Sequence, residues 1–186
     1  WNAAQLSHEA LFSKYNSILK NGLKDYGVLN YLSSHDDGNP FDPKRKKPFE
    51  TATKLLLSPG ASQVYYGDEL ARSLEIDGTI GDATLRSVID WNDVSNKKEV
   101  LEHWQKLGQF RNNHPAIGAG KHKRLGKKPY VFSRTYNKGD IKDKVVVGLD
   151  LPKGKKSLSV EGFFGDGTKL FDTYSNTEVF VKNGKV

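Results

Sequence analysis

A histidine and an aspartate stand side by side at the end of a short apolar segment. His35 and Asp36 follow residues 28–32, an apolar run that predicts a buried strand, and a polar loop over 37–40 comes next. Parallel α/β folds place their chemistry at the carboxyl ends of their strands, so a carboxylate and an imidazole here could bind and polarise a ligand. Taken alone the pair is weak evidence, because such a dipeptide is more often an ordinary loop cap.

The segments around this pair predict alternating helices and strands. An apolar stripe at helical spacing predicts a helix over 3–21, and a second helix is expected to begin at Pro48, whose fixed φ suits a first helical position. Strands are predicted over 28–33 and 62–66. The order helix, strand, helix, strand favours a parallel pair of strands joined by a crossover helix.

The second half of the chain has a different pattern. A helix is predicted over 96–113, with Trp104 in the core rather than at a sugar site, and the hydrophobic period then changes to two. The chain thus divides into domains over 1–118 and 119–186. Turn residues separate apolar segments that predict a small antiparallel β-sandwich, with strands over 129–136, 144–149, 157–160, 169–171 and 178–181.

Three further motifs follow the His-Asp pair in a fixed order. They are Tyr-Tyr-Gly-Asp-Glu at 65–69, Arg86 with Trp91, and a helix that carries Leu107 and Arg111. In this order and spacing, residues 1–118 resemble the last third of an α-amylase-family glycoside hydrolase. The resemblance implies an α/β part-barrel, made of the last two strands of a TIM-type barrel with their helices, followed by a C-terminal β-sandwich.

The same resemblance implies roles for individual residues. Asp36 corresponds to the carboxylate that stabilises the transition state, and His35 to a residue that contacts substrate hydroxyls. Asn39 stands where many members have arginine, and it is a candidate substrate-binding residue. Retaining glycosidases also need a nucleophile and a general acid, which the family carries on earlier strands. Residues 1–27 hold only Glu9 and Asp25 as acids, outside any such motif, so the chain alone is expected to be inactive.

The remaining family motifs are interpreted as structural. Tyr65, Tyr66, Asp68 and Glu69 are expected to shape the rim of the barrel and its packing. Arg86 and Trp91 are expected to tie the region of the last strand to the sandwich.

Composition limits the other functions. The net charge is +7 and the pI is near 9.4, but lysines fall in short turns and no RNA-binding or helix-turn-helix signature is present, so no nucleic-acid partner is expected. No apolar run of about 18 residues occurs, so no membrane partner is expected either. The absence of cysteine excludes disulfides and cysteine metal sites but leaves the compartment undecided.

Three functions stay open. The first is the C-terminal segment of a retaining glycoside hydrolase that acts on α-glucans such as starch and maltodextrins. The second is a non-catalytic carbohydrate-binding or scaffold relative, and the third is an unrelated basic α/β binding protein. No metal or cofactor is expected in this chain, although a full-length family member could hold calcium. Because two barrel strands leave open edges, the expected partner is a missing N-terminal part of the same protein or a second copy.

Overall fold

The computed structural model describes residues 2–22, 26–152 and 154–186. The chain separates into two compact units, Trp1–Arg111 and Asn112–Val186. The sequence placed the domain boundary slightly later, between Gly118 and Ala119. Each unit has a core of its own, and each is described separately below.

The first unit opens with helical structure. A short 3-10 helix, Asn2–Gln5, precedes helix α1, His8–Asn21. The predicted single helix over 3–21 is interrupted because Ser7 takes an extended conformation and its Oγ accepts a hydrogen bond from the Ala10 N–H, which caps α1. The apolar face of α1 contributes three buried side chains, Leu11, Phe12 and Tyr15.

Two short parallel strands form the sheet of this unit. Strand β1, Leu29–Asn30, pairs in parallel with β2, Ala61–Ser62, and helix α2, Pro48–Leu56, crosses between them. The predicted crossover and the helix start at Pro48 are confirmed. The predicted strands over 28–33 and 62–66 are too long, because β-pairing ends where no further strand lies alongside.

The rest of the first unit is irregular until its last helices. Two 3-10 helices, Asp68–Leu70 and Gly81–Arg86, interrupt the loop after β2. Helices α3, Asp93–Asn96, and α4, Lys98–Asn113, follow. Trp104 on α4 is buried, as predicted. Arg111 donates hydrogen bonds to the carbonyls of Leu56, Ser58 and Gly60, which attaches the end of α4 to the turn before β2.

The described residues of the second unit form one short helix and two antiparallel sheets. Helix α5, Pro115–Ala119, leads into a sheet of β3, Lys121–Gly126, β4, Tyr130–Lys138, and β5, Ile141–Leu149. A separate hairpin pairs β6, Lys169–Asp172, with β7, Thr177–Phe180. The predicted strand over 157–160 reduces to a single bridge between Ser159 and Lys185. Strand β3 was missed, because its polar side chains on a sheet edge do not show the alternation of a half-buried strand.

No helix in the described ranges is long and apolar enough to cross a membrane.

Candidate functional site

His35, Asp36 and Arg86 form a cluster at the surface of the first unit. The Asp36 carboxylate accepts a hydrogen bond from an Arg86 guanidinium nitrogen at 3.0 Å, and its other oxygen lies 2.9 Å from His35 Nε2. The same arginine nitrogen lies 3.3 Å from the His35 carbonyl oxygen. The three side chains are 59%, 62% and 51% exposed, so their free faces can receive a ligand.

Two segments far apart in sequence bring this cluster together. His35 and Asp36 lie in the loop after β1, while Arg86 is the last residue of the 3-10 helix Gly81–Arg86. Asp82, at the beginning of that 3-10 helix, lies 3.7 Å from the Arg86 guanidinium and provides a second, weaker anionic contact. The Asp36 loop is also shaped locally, because the Asp36 N–H donates to Ser34 Oγ at 3.3 Å.

A buried ion pair contacts the start of the loop that carries His35 and Asp36. The Asp68 carboxylate pairs with the Arg45 guanidinium, and their side chains are 0% and 4% exposed. Ser33, two residues before His35, donates its hydroxyl to the same carboxylate, whose oxygens lie at 2.7 and 2.9 Å. Burial raises the pKa of Asp68, and Arg45 and Ser33 oppose that rise. The ion pair thus anchors the base of the loop that carries the exposed site.

Arg72 supports the other half of the cluster. It is 5% exposed, and its guanidinium donates to the carbonyls of Tyr66 at 3.0 Å and Leu85 at 3.1 Å and to Ser87 Oγ at 2.6 Å. It also lies 4.0 Å from the centre of the Tyr66 ring. Since Leu85 and Ser87 flank Arg86 on either side, Arg72 fixes the backbone from which Arg86 reaches Asp36.

Gly67 makes room for this arginine. Its φ is +81°, in the left-handed region, and a Cβ there would lie 2.7 Å from Arg72 Nε. Any other residue at this position would therefore strain the backbone and displace the guanidinium. The lack of space for a Cβ thus explains why the Tyr-Tyr-Gly-Asp-Glu motif has glycine at this position.

The structure places the predicted residues as follows. His35 and Asp36 are in contact. Asn39 is exposed in the same loop, and its N–H donates to Asp37 Oδ1 at 3.0 Å. Glu9 lies in the first turn of α1, outside the cluster, and Asp25 lies outside the described residues. The described residues contain no group of three or more His, Cys, Asp or Glu side chains that could hold a metal ion.

Arg86 is a member of the cluster that sequence reasoning did not place there. It was assigned with Trp91 to a tie with the sandwich, which stays a prediction, while its ion pairs in the first unit are with Asp36 and Asp82. Trp91 is 72% exposed. The partner of Arg86 lies fifty positions away, so only the order of the motifs could have indicated the contact. Of the four residues expected to shape the barrel rim, Tyr65 and Asp68 are buried and Tyr66 is 42% exposed. Their place at the rim of a barrel stays a prediction.

Comparison with known proteins identifies relatives. No family model matches the chain. A periplasmic α-amylase of Escherichia coli is 46% identical over 127 residues, which cover 67% of this chain and 18% of that protein. The chain therefore spans less than a fifth of the length of the curated relative that it matches.

Solved structures share the fold. An Anoxybacillus α-amylase superposes with a TM-score of 0.69 at 20% identity, covering 99% of this chain and 41% of that one. A pullulanase from Anoxybacillus sp. LM18-11, solved with maltotriose, superposes with a TM-score of 0.62 at 18% identity, covering 99% of this chain and 29% of that one. The identity to the sequence relative, together with the shared fold, shows the family. The chain belongs to the α-amylase family of glycoside hydrolases.

Proposed function

We propose that the chain is the C-terminal segment of a retaining glycoside hydrolase that cleaves α-glucans. In this proposal Asp36 stabilises the transition state, while the nucleophile and the general acid come from another part of the same protein. The observation that carries the proposal is the position of the Asp36 carboxylate, which is held between His35 and Arg86 with its free face exposed. The maltotriose bound to the related pullulanase supports an α-glucan as the ligand.

The geometry suits the charge that glycoside cleavage develops. The sugar ring becomes oxocarbenium-like in the transition state, so a fixed carboxylate stabilises it more than the ground state. The Arg86 contact holds the Asp36 carboxylate in one orientation, so it does not have to reorganise during the reaction. The His35 imidazole lies beside it and can hydrogen-bond to hydroxyls of the same ring. Asn39, in the same exposed loop, is a candidate contact for a neighbouring sugar.

The burial of the first strand supports a part-barrel. Along β1 and the residues after it, Asn30 and Leu32 are buried while Leu29 and Tyr31 are 58% and 41% exposed. Val64, just after β2, is 44% exposed. An apolar sheet face left open in this way is what remains of a closed barrel when its other strands are absent. The missing N-terminal part of the same protein is the proposed partner for that face, with self-association as the alternative.

The second unit is proposed to be a β-sandwich without a catalytic group. Val131, on the three-stranded sheet, is buried, as are Val160 and Val181, which lie outside the named strands on either side of the hairpin β6–β7. These buried side chains support packing of the two sheets against each other. Calcium in a full-length member stays a prediction from family resemblance.

Hydrolysis measurements on this chain test whether the nucleophile and the general acid lie outside it. We expect the 186-residue chain to release no reducing sugar from a maltooligosaccharide above a buffer control, because removing a nucleophile and an acid costs many orders of magnitude in rate. Hydrolysis by the chain alone would show that its own residues supply these groups.

The role of Asp36 is tested in the complete polypeptide that contains this chain. We expect Asp36→Asn to lower kcat by about 10³-fold, equivalent to ~4 kcal/mol of transition-state stabilisation. His35→Ala should cost less, because its hydrogen bonds only assist. Asp37→Asn is the matched control, since it makes the same chemical change one position along the loop and should leave kcat within about threefold.

Two outcomes would contradict this assignment. An Asp36→Asn variant that keeps most of the activity would remove Asp36 from the mechanism. A complete polypeptide that binds maltooligosaccharides with no hydrolysis, and binds them equally well with Asn at this position, would favour the non-catalytic carbohydrate-binding relative.

A further inference from the structure

The positive charge of this chain belongs almost entirely to its second unit. Residues 112–186 contain 15 Lys and Arg but only 7 Asp and Glu, a net charge of +8. Residues 1–111 contain 14 and 15, a net charge of −1, although they carry the proposed catalytic site. The proposed substrate is a neutral sugar, so substrate binding does not account for the charge. A strong asymmetry of this kind points to an anionic partner for the basic unit.

Strand register collects part of this charge on one face of a sheet. Lys121 on β3 and Lys144 on β5 both pair with Thr135 on the central strand, so the two lysines share a face with it. Lys123 and Lys142 lie two residues from Lys121 and Lys144 and therefore point to the same side. Because two of these lysines lie on β3 and two on β5, which β4 separates in sequence, the linear pattern did not show their common face. We call Lys121, Lys123, Lys142 and Lys144 the lysine face.

The lysines of this face are open to solvent. All four lysines are exposed. In the described part of the chain, none of them lies within ion-pair distance of a carboxylate, and the nearest recorded contact is that of the Lys144 ammonium, 5.6 Å from the Phe163 ring centre.

The opposite face of the same sheet differs. Arg134 is buried there and donates to the Ile117 carbonyl at 2.6 Å, and Asp143 accepts from the Ala116 N–H and lies 2.9 Å from His114. Helix α5 thus covers that face and uses its charged groups. On the lysine face, by contrast, the described residues place no carboxylate within ion-pair distance of the four ammonium groups.

We propose that the lysine face binds the surface of a bilayer that contains anionic phospholipid. Neighbouring strands are ~4.8 Å apart and alternate residues along a strand ~7 Å apart, so the sheet sets the ammonium groups on either side of Thr135. They are exposed at the end of this face away from Val131, which is buried. A plane of negative headgroups complements such an array, and clusters of about four to eight basic residues bind anionic lipid in this way.

Nucleic acid fits the same face less well. Specific readers use arginine forks on bases or phosphates, and single-strand binders stack bases on aromatic rings. The lysine face has neither, because its members are lysines and its central position is Thr135. The earlier expectation of no membrane partner rested on the lack of an apolar span, and electrostatic binding at a surface needs no span.

Vesicle co-sedimentation of the 186-residue chain tests the proposal. We expect the chain to sediment with phosphatidylcholine vesicles that contain phosphatidylglycerol at low salt, and to be released at 0.5 M NaCl, where the Debye length falls to about 4 Å. Pure phosphatidylcholine vesicles should retain none of it. Binding to neutral vesicles that is as strong and insensitive to salt would overturn the proposal.

A charge-matched pair of variants assigns the binding to the face. The quadruple variant Lys121→Gln, Lys123→Gln, Lys142→Gln and Lys144→Gln should reduce the partition coefficient by roughly 600-fold, at about fivefold per lysine. The control removes the same charge outside the three-stranded sheet, with Lys155→Gln, Lys156→Gln, Lys182→Gln and Lys185→Gln, and should lose less than ~5-fold. Circular dichroism of both variants shows that they are folded.

Three results would refute the assignment. Equal losses in the two quadruple variants would mean that only the net charge matters. Unchanged binding by the first variant would exclude the face. A tenfold preference of the wild-type chain for a DNA duplex over the anionic vesicles at the same salt would make nucleic acid the partner instead.

Discussion

The buried pair of Asp68 and Arg45 offers the sharpest test of how the site is supported. Asp68→Asn keeps the size of the side chain but removes its charge, and the Arg45 guanidinium then stays buried with 4% exposure and no carboxylate. Breaking one partner of a buried ion pair costs about 3–5 kcal/mol. Ser33 also loses one of two negatively charged acceptors, at 2.7 and 2.9 Å, which adds to that cost.

The assay can be confined to the unit that holds the pair. All three tryptophans, at positions 1, 91 and 104, lie in the first unit, so tryptophan fluorescence during urea unfolding reports on that unit alone. With m near 2 kcal/mol/M, a loss of about 4 kcal/mol lowers the unfolding midpoint by about 2 M urea. Asp82→Asn is the control, since its contact with Arg86 spans 3.7 Å with side chains 58% and 51% exposed and is worth at most ~1 kcal/mol.

A double-mutant cycle separates the pair from its surroundings. Arg45→Met in the Asp68→Asn background removes the stranded charge, and the double variant should be more stable than Asp68→Asn alone, with a coupling of roughly 2 kcal/mol or more. Two results would refute this reasoning. One is a midpoint for Asp68→Asn within error of the Asp82→Asn control. The other is a double variant whose loss of stability equals the sum of the losses in the two single variants.

Two further predictions concern the same unit. Arg72→Ala should lower the free energy of unfolding by about 3 kcal/mol or more, since it leaves buried carbonyls without a donor, whereas Arg86→Ala at an exposed position should cost under ~1 kcal/mol; equal urea midpoints would contradict this. Burial lowers the pKa of His103, an effect that the Phe49 carbonyl opposes, so the unfolded state binds more protons just below its own pKa of ~6.5 and stability rises with pH there. His103→Gln should reduce the difference between the urea midpoints at pH 5.5 and 7.5. An unchanged difference would show that other titratable groups cause the pH dependence.

Local signals predicted the elements of the first unit well. The start of α2 at Pro48 and the parallel crossover follow from a fixed φ and from chain order, and both are confirmed. The strand lengths could not be predicted in the same way, because pairing depends on neighbours. Strand β3 shows the same limit, since Lys121, His122 and Lys123 form a strand only through their pairing with β4.

The contacts of the site depend on residues far apart in sequence, and pattern reasoning captured only part of them. The contact of His35 with Asp36 is between neighbours, so it could be expected from the dipeptide. The contact of Arg86 with Asp36 spans fifty positions, and the acceptors of Arg72 lie on two separate segments. No periodicity marks such contacts, because an arginine on an irregular loop has no preferred face. The resemblance assigned Arg86 to a tie with the sandwich, so its contact with Asp36 was not predicted.

The exposed ion pair at the site and the buried ion pair that supports it have different roles in this unit. Asp36 and Arg86 are solvated, so their ion pair adds little stability. Asp68 and Arg45 are desolvated, and burial raises the pKa of Asp68 against the opposing effect of Arg45. Because apolar replacement of both partners of a buried ion pair is often neutral, we expect such a replacement to match the wild type in stability. What it would lose is the hydroxyl contact of Ser33 with Asp68, and with it the fixed start of the loop that carries His35 and Asp36. The buried pair is therefore better explained by the geometry of the loop than by the stability of the fold.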